Sequence, residues 1–425
     1  MERVIFHIDV NSAFLSWEAA YRIRHLGAKL DLRNIPSAVG GDKATRHGII
    51  LAKSTPAKKY HIMTGEAIAD ALKKCPDLVV VPPNYALYEK NSKAFIEILR
   101  NYTDVVEQYS VDEAFCDMTG TQALFGSPVI AATTIKDRIR DELGFTVNVG
   151  ISSNKLLAKM ASDFQKPDKV HTLFPEEISR KLWPLPVSDL FFVGRATEKK
   201  LYTLGIHTIG ELADTRIEVL RAHFNKHGEV IHNFAWGRDV SLVESQAPAA
   251  KGYGNSITIA FDVCDASTAK MVLLSLCETI ATRLRKHEVK AGLLSIYIRN
   301  FEFFSASHQK VLPSATNITV ELHQAASELF DELWDGSPIR LLGVQASRIT
   351  SGEQGRQLSL FETPDYERLE RLEATSDKIR TKFGNDAVQR ASFLHNKTVD
   401  HMSGGVKKDK INVDYKKQNL DIPNE

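Results

Sequence analysis

The chain has 425 residues, 43% of them hydrophobic and 25% charged, the composition of a globular protein too long for a single core, so several domains are expected. No apolar run reaches membrane-span length, the opening "MERVIFHIDVNSAF" is too briefly apolar for a secretory leader, and Cys75, Cys116, Cys264 and Cys277 form no CxxC pair. Those features exclude a spanning protein, a disulfide scaffold and a structural zinc module and point to a reducing cytoplasm, while a net charge of +1 discriminates nothing because nucleic-acid binding depends on local patches.

"RVIFHIDV" (3–10) reads as a strand buried on both faces, ending in Asp9, with a helix after it capped by Asn11 or Ser12 and carrying Phe14, Leu15 and Trp17. A Gly-containing stretch follows that holds five Lys or Arg and no acid from Lys43 to Lys59, basic residues that could supply an anion clamp. "TGEAIADALKKCP" then reads as a helix, "LVVVPP" as a strand and "YEKNSKAFIEILRNY" as an amphipathic helix. "DVVEQYS" and "EAFCDMTG" read as antiparallel strands meeting near Asp112, before a helix over 128–143, a strand "FTVNVGIS" and a helix over 154–164. From about Lys169 short helices with Gly punctuation take over, and "ESQAPAAKGYGNS" (244–256) reads as a linker. Beyond it the pattern is strand ("SITIAFDV"), helix (267–287), strand ("GLLSIYIRN"), helix (318–334) and strand ("IRLLGVQASRI"), a second small α/β unit. The last seventy-odd residues are polar, apart from the island "QLSLF" and a charged helical pattern from Asp365 to Phe383.

Adjacent carboxylates in "QYSVDEAFCDM" demand a reason, because neighbouring side chains on a straight strand point to opposite faces. At a hairpin tip Asp112 and Glu113 can converge, and Asp9 at the end of another apolar strand supplies a third carboxylate. Magnesium takes one or two carboxylates plus substrate phosphates, so the three acids are candidate ligands of a two-metal site. Composition alone leaves the alternative open: solvated hairpin residues and a helix cap. In "SNKLLAKMASDFQKP", Leu156, Leu157, Met160, Ala161 and Phe164 share one face, with Lys155, Lys159 and Lys166 off it as a possible anion clamp.

"FHIDVNSAF", "YSVDEAF", "NVGISSNKLLAKMASDFQKPD" and "TLGIHTIGELA" occur in one order, and together they resemble the Y-family translesion DNA polymerases over roughly residues 3 to 350. The resemblance implies an α+β multidomain right hand. It would consist of a palm (1–35 and 78–168), small fingers (36–77), a helix-hairpin-helix thumb (169–243), the linker 244–256, an α/β DNA-binding little finger (257–350) and a tail (351–425). It implies Asp9, Asp112 and the Val10 carbonyl as ligands of two Mg²⁺ ions, with Glu113 beside the primer-side ion as the third catalytic acid. Phe14 falls at the steric-gate position, where a ring under the sugar refuses a 2′-hydroxyl by a clash. Lys166, Lys58 and Thr55 fall on triphosphate-binding positions, although the family's Tyr-x-x-Arg reads Thr55-Pro-Ala-Lys58 here, trading a bidentate fork for a point charge. In the thumb, Gly194, Lys199, Lys200 and Gly205 match a phosphate-contacting turn whose first glycine is replaced by Phe192.

The partners implied are primer–template DNA, dNTPs and the replicative sliding clamp, docked through Gln357, Leu358, Leu360 and Phe361 of the peptide 357–361. The implied activity is error-prone, template-directed nucleotidyl transfer by a cytoplasmic monomer, without proofreading or a membrane. Two rival readings are a non-catalytic DNA- or clamp-binding protein of the same fold and a two-metal nuclease.

Overall fold

The segment "IFHIDV" is buried along its whole length because it becomes the central strand of a sheet, with an antiparallel neighbour on each side. The computed structural model describes residues 3–41, 48–246, 248–352, 365–394 and 398–403. In chain order its first part comprises β1 (Ile5–Val10), α1 (Ala13–Leu26), β2 (Ser37–Gly40), β3 (Ile50–Lys53), α2 (Thr55–Lys58), α3 (Ile68–Lys74), β4 (Val79–Val81) and α4 (Tyr85–Arg100). It continues with β5 (Val106–Gln108), β6 (Glu113–Asp117), α5 (Gln122–Phe125), α6 (Pro128–Leu143), β7 (Val147–Ser152), α7 (Lys155–Asp163) and β8 (Val170–Thr172). Five helices follow: α8 (Ile178–Lys181), α9 (Arg195–Thr203), α10 (Ile209–Asp214), α11 (Ile217–Phe224) and α12 (Lys226–Ala235). The second part holds β9 (Gly252–Val263), α13 (Ala266–Lys286), β10 (Val289–Asn300), β11 (Ser305–Thr316), α14 (Thr319–Leu333), β12 (Ile339–Ser351) and α15 (Tyr366–Phe383). The described residues 3–40 and 50–246 belong to one compact unit and 248–403 to another.

In the first unit a five-stranded sheet runs β5-β6-β1-β7-β8, with β1 antiparallel to both β6 and β7. The even-numbered residues of β1, Phe6, Ile8 and Val10, join a core with α4 and α6, including Phe95, Leu99, Ile135 and Ile139. Its odd residues His7 and Asp9 face the other way, where Ser162 and Lys166 at and just beyond the end of α7 meet them. Gly150 on β7 allows that close approach: a Cβ there would lie 1.9 Å from the Ala158 carbonyl oxygen. A separate three-stranded sheet, β3-β2-β4, packs with α3 around Ile50, Ile68 and Ala71. The helices α8–α12 share a third core with the apolar face of α7, through Leu157, Leu182, Leu212 and Ile231.

The second unit is a four-stranded antiparallel sheet in the order β11-β10-β12-β9, with α13 and α14 against one face. Two features differ from the sequence reading. Strand β11 was not foreseen, because "SASHQKVLPSAT" is an edge strand exposed over most of its length, so it shows no apolar alternation. Strand β9 begins at Gly252, inside the stretch read as a linker. Its first glycine serves close packing: a Cβ on Gly252 would stand 2.9 Å from the Ala346 carbonyl oxygen of β12.

Residues 365–394 and 398–403, read as part of a polar tail, are anchored on this unit instead. Glu278 of α13, 2% exposed, accepts from Arg380 Nη1 and Arg390 Nε, each at 2.6 Å. Glu373 of α15 accepts from Arg390 Nη2 at 2.7 Å, and Arg285 Nε donates to Asp377 at 2.6 Å. Phe393 and Val399 enter the core, and the Ser403 carbonyl accepts from Thr279 and Asn255. Several of the charges that made the stretch look solvated are paired with Glu278 and Arg285 of α13. Among the described residues no helix is long and apolar enough to cross a membrane.

Candidate active site

Asp9 lies opposite Glu113 in the β1–β6 ladder, and the Val10 N–H donates to the Asp112 carbonyl at 3.0 Å. The chain reverses through 109–112, where both Tyr109 and Ser110 N–H groups donate to the Glu113 carbonyl. Ser110 organises this tip. Its hydroxyl donates to Asp112 Oδ1 at 2.7 Å and accepts from the Glu113 N–H at 3.0 Å, so Asp112 is held just outside the strand. The adjacent acids are therefore freed from strict strand alternation, as the hairpin reading required.

Asp9, Val10, Phe14, Lys58 and Asp112 line one cleft of about 370 Å³, with Lys53 and Thr64 also in its wall. Phe14 is half-buried and stacks on Tyr88, with ring centroids 4.5 Å apart and planes 10° from parallel, so its ring is braced from below. Three residues assigned to the site do not line the cleft. Glu113 is turned to Lys159 Nζ at 3.0 Å, with His7 Nε2 at 3.8 Å. Lys166 is ion-paired to Asp9 and, at 2.8 Å, to Asp163. Thr55 is exposed on α2, whose cap is its neighbour Ser54, accepting from the Ala57 N–H at 3.1 Å.

The electrostatics separate the acids. Burial dominates at Asp9, 8% exposed, and lifts its carboxyl from 3.8 to about 6 despite the Lys166 charge, helped by Glu113 and Asp112. Burial pushes the same way at Glu113, but His7 and Lys159 outweigh it and bring that carboxyl down to about 2. His7 sits with Nδ1 2.7 Å from Ser162 Oγ, and burial lowers its pKa. Lys155, placed on the anion-clamp face from the sequence, is spent on Glu107, both of whose carboxylate oxygens lie 2.7 Å from its Nζ. Lys159 is likewise occupied by Glu113, and by the faces of Tyr109 and Phe191.

Among the described residues no three His, Cys, Asp or Glu side chains form a ready cage. The donors fit a hard cation nonetheless. Asp9 carries a buried negative charge that one lysine under-compensates, Asp112 lies on the same cleft, and both offer oxygen, the ligand that Mg²⁺ prefers when phosphates complete its shell.

Further along the chain, Gly194 caps α9 with open space at its Cα, Lys199 and Lys200 are exposed, and Gly205 has φ +77° in the turn after that helix. Phe192 adopts φ 74°, a glycine-type conformation, and is 55% exposed. The residues Gln357, Leu358, Leu360 and Phe361 lie outside the described residues. Sequence reasoning missed Ser110 and His7, of which only the proximity of Ser110 to Asp112 left a trace, and it reached Lys53 only as one of the basic residues at 43–59 read as a second anion clamp.

The backbone matches a solved Y-family DNA polymerase chimera, Dbh-Dpo4(243-245)-Dbh, with a TM-score of 0.69 at 20% identity, over 82% of this chain and 99% of that one. The molecule thus has the α+β right-hand fold of that class, with palm, fingers, thumb and little finger. The impB/mucB/samB family model matches residues 8–163, its C-terminal domain 250–360 and the IMS family HHH motif 175–206. The DNA polymerase IV of Clostridium acetobutylicum is 45% identical over 394 residues, covering 93% of this chain and 99% of that protein. DNA polymerase IV 2 of Bacillus subtilis is 36% identical over 402 residues, covering 92% and 95%. The chain belongs to the impB/mucB/samB family of Y-family polymerases and is a DNA-directed DNA polymerase of the translesion type.

Proposed function

We propose that this polymerase extends a primer 3′-hydroxyl with dNTPs by two-metal-ion nucleotidyl transfer, without proofreading, at the cleft between β1, the 109–113 hairpin and β3–α2. The observation that carries the reading is that Asp9 and Asp112, more than a hundred residues apart, line one cleft with Phe14 and Lys58. Asp9, Asp112 and the Val10 carbonyl are the groups that would hold two Mg²⁺ ions, and Glu113 would support the primer-side one. Bound there, the ions would supply Lewis-acid charge neutralisation for the primer oxygen and the phosphates.

The chain's own part is positioning. Ser110 holds the Asp112 carboxylate, and Lys159 and His7 hold that of Glu113 in its ionised form. Phe14, backed by Tyr88, presents a flat ring that a 2′-hydroxyl would strike. Lys58 faces the cleft, while Lys166, which sits on Asp9, would be free to meet phosphate oxygens were that aspartate to hold a cation. Thr55, exposed beside Lys58, contributes at most a hydroxyl.

In the same reading residues 1–35 and 78–168 act as palm, 36–77 as fingers, 169–243 as thumb and 257–350 as little finger. Gly194, Lys199, Lys200 and Gly205 contact duplex phosphates, a grip that positions DNA without reading sequence. Gln357, Leu358, Leu360 and Phe361 dock on the sliding clamp, and the enzyme works as a cytoplasmic monomer raised in local concentration by that tether.

The test is extension of a labelled primer–template with dNTPs and Mg²⁺, an EDTA control, and Asp112→Ala alongside the wild type. Lengthening by the wild type that EDTA and Asp112→Ala both abolish is the expected result. Normal extension by Asp112→Ala overturns the site, and shortening of the primer would make the protein a nuclease.

A further inference from the structure

The cleft carries a second lysine that no motif accounts for. Lys53 is the last residue of β3, paired with Ala38 of β2, and it lines the cleft together with Lys58, Asp9, Asp112 and Phe14. The corner between β3 and α2 is tied down. The Ser54 N–H donates to the Ser37 carbonyl at 2.9 Å, its hydroxyl donates to the Ile35 carbonyl at 2.7 Å, and it accepts from the Ala57 N–H. Lys53 and Lys58 therefore leave a fixed corner on either side and converge on one space.

Among the described residues no carboxylate forms an ion pair with Lys53 or Lys58; Glu66, whose charge favours that of Lys53, is itself held by Lys74 Nζ at 2.5 Å. Lys53 is also partly desolvated and repelled by Lys58 and Lys74, both of which work against its charge. Two ammonium groups facing one cleft repel each other, and a polyanion that bridges them converts the repulsion into attraction. A monoanion satisfies one at a time. A chain of phosphates satisfies both, and two point charges from different sides supply the spread that one lysine, unlike a planar guanidinium fork, does not.

We propose that Lys53 is a triphosphate-binding residue that acts jointly with Lys58 on the incoming nucleoside triphosphate. This inference rests on the reading of the cleft as the nucleotide site.

The test is single-nucleotide insertion by full-length wild type, Lys53→Met, Lys53→Arg and Lys58→Met with each of the four dNTPs, with inorganic triphosphate as a competitor. Lys53→Met is expected to raise KM for all four dNTPs by about tenfold, or ~1.4 kcal/mol, and to raise the Ki of inorganic triphosphate in parallel. Its kcat should stay within about threefold of wild type, and Lys53→Arg should restore most of the affinity. A KM within about twofold of wild type, or a rise confined to particular bases, overturns the assignment. Should Lys53→Met fail to fold, Lys53→Gln carries the same measurement. Asp112→Ala is run in the same assay. If it inserts normally, the reading of the cleft has failed; if it is inert while Lys53→Met behaves as wild type, only the role of Lys53 has failed.

Discussion

Replacing Asp9 with asparagine separates the cost of a catalytic carboxylate from its use. In the fold this group titrates at about 6 instead of 3.8, chiefly because it is buried. A carboxyl whose folded pKa is raised contributes stability that is present below 3.8 and lost as pH climbs through about 6, so at pH 7 the loss is complete. The difference between 3.8 and about 6 corresponds to ~3 kcal/mol. Asparagine keeps the shape, removes the charge and does not strand Lys166, which retains Asp163 at 2.8 Å. In EDTA at pH 7, Asp9→Asn is therefore expected to be about 1–3 kcal/mol more stable than wild type, several degrees in Tm for a unit of this size. At pH 5, inside the window, the gain should fall to roughly half. Added Mg²⁺ should raise the Tm of the wild type and not that of the variant, which is also expected to be inactive. Differential scanning calorimetry at the two pH values, with and without Mg²⁺, reads all of this. A variant that melts at or below wild type in EDTA at pH 7 would show that attraction to Lys166 outweighs burial, and the reasoning would be wrong.

Phe14→Ala should admit ribonucleotides, lowering dNTP over rNTP selectivity by about tenfold or more in single-nucleotide insertion, because the ring braced on Tyr88 is gone. Lys159→Met should lower kcat by roughly tenfold and move the acidic limb of the pH–rate profile upward, since Glu113 would lose the charge that holds it near 2, and Lys159→Arg should restore both. At Phe192, with φ 74°, glycine should be more stable than alanine by about 1 kcal/mol in thermal melts, the reverse of the order at an ordinary position.

Much of the first unit was legible because its elements obey simple periods. The helix over 128–143 is found at those residues, and the reversal at 109–112, readable as a hairpin, brings Asp112 but not Glu113 to the cleft of Asp9. Interactions created only by tertiary placement were not readable. Lys155, Lys159 and Lys166 look alike along the sequence, yet the fold gives them Glu107, Glu113 and Asp9 respectively. Lys53 carries no spacing signal, since a lysine at a strand end is ordinarily a solvated one. Strand β11 hid because most of its side chains are exposed, and the glycines of β9 imitated a linker although Gly252 serves close strand approach.

The anchoring of residues 365–394 and 398–403 changes what can be cut away. A chain shortened just past Phe361 would retain every residue of the cleft and the whole apolar pentapeptide, and would look intact on a motif map. It would also take Arg380 and Arg390 from Glu278 of α13 and strip Phe393 and Val399 from the core that they complete. Trimming what resembles a dispensable end would thus unsettle the second unit from behind, and a loss of DNA affinity in such a truncation would report on its folding before it reported on any partner.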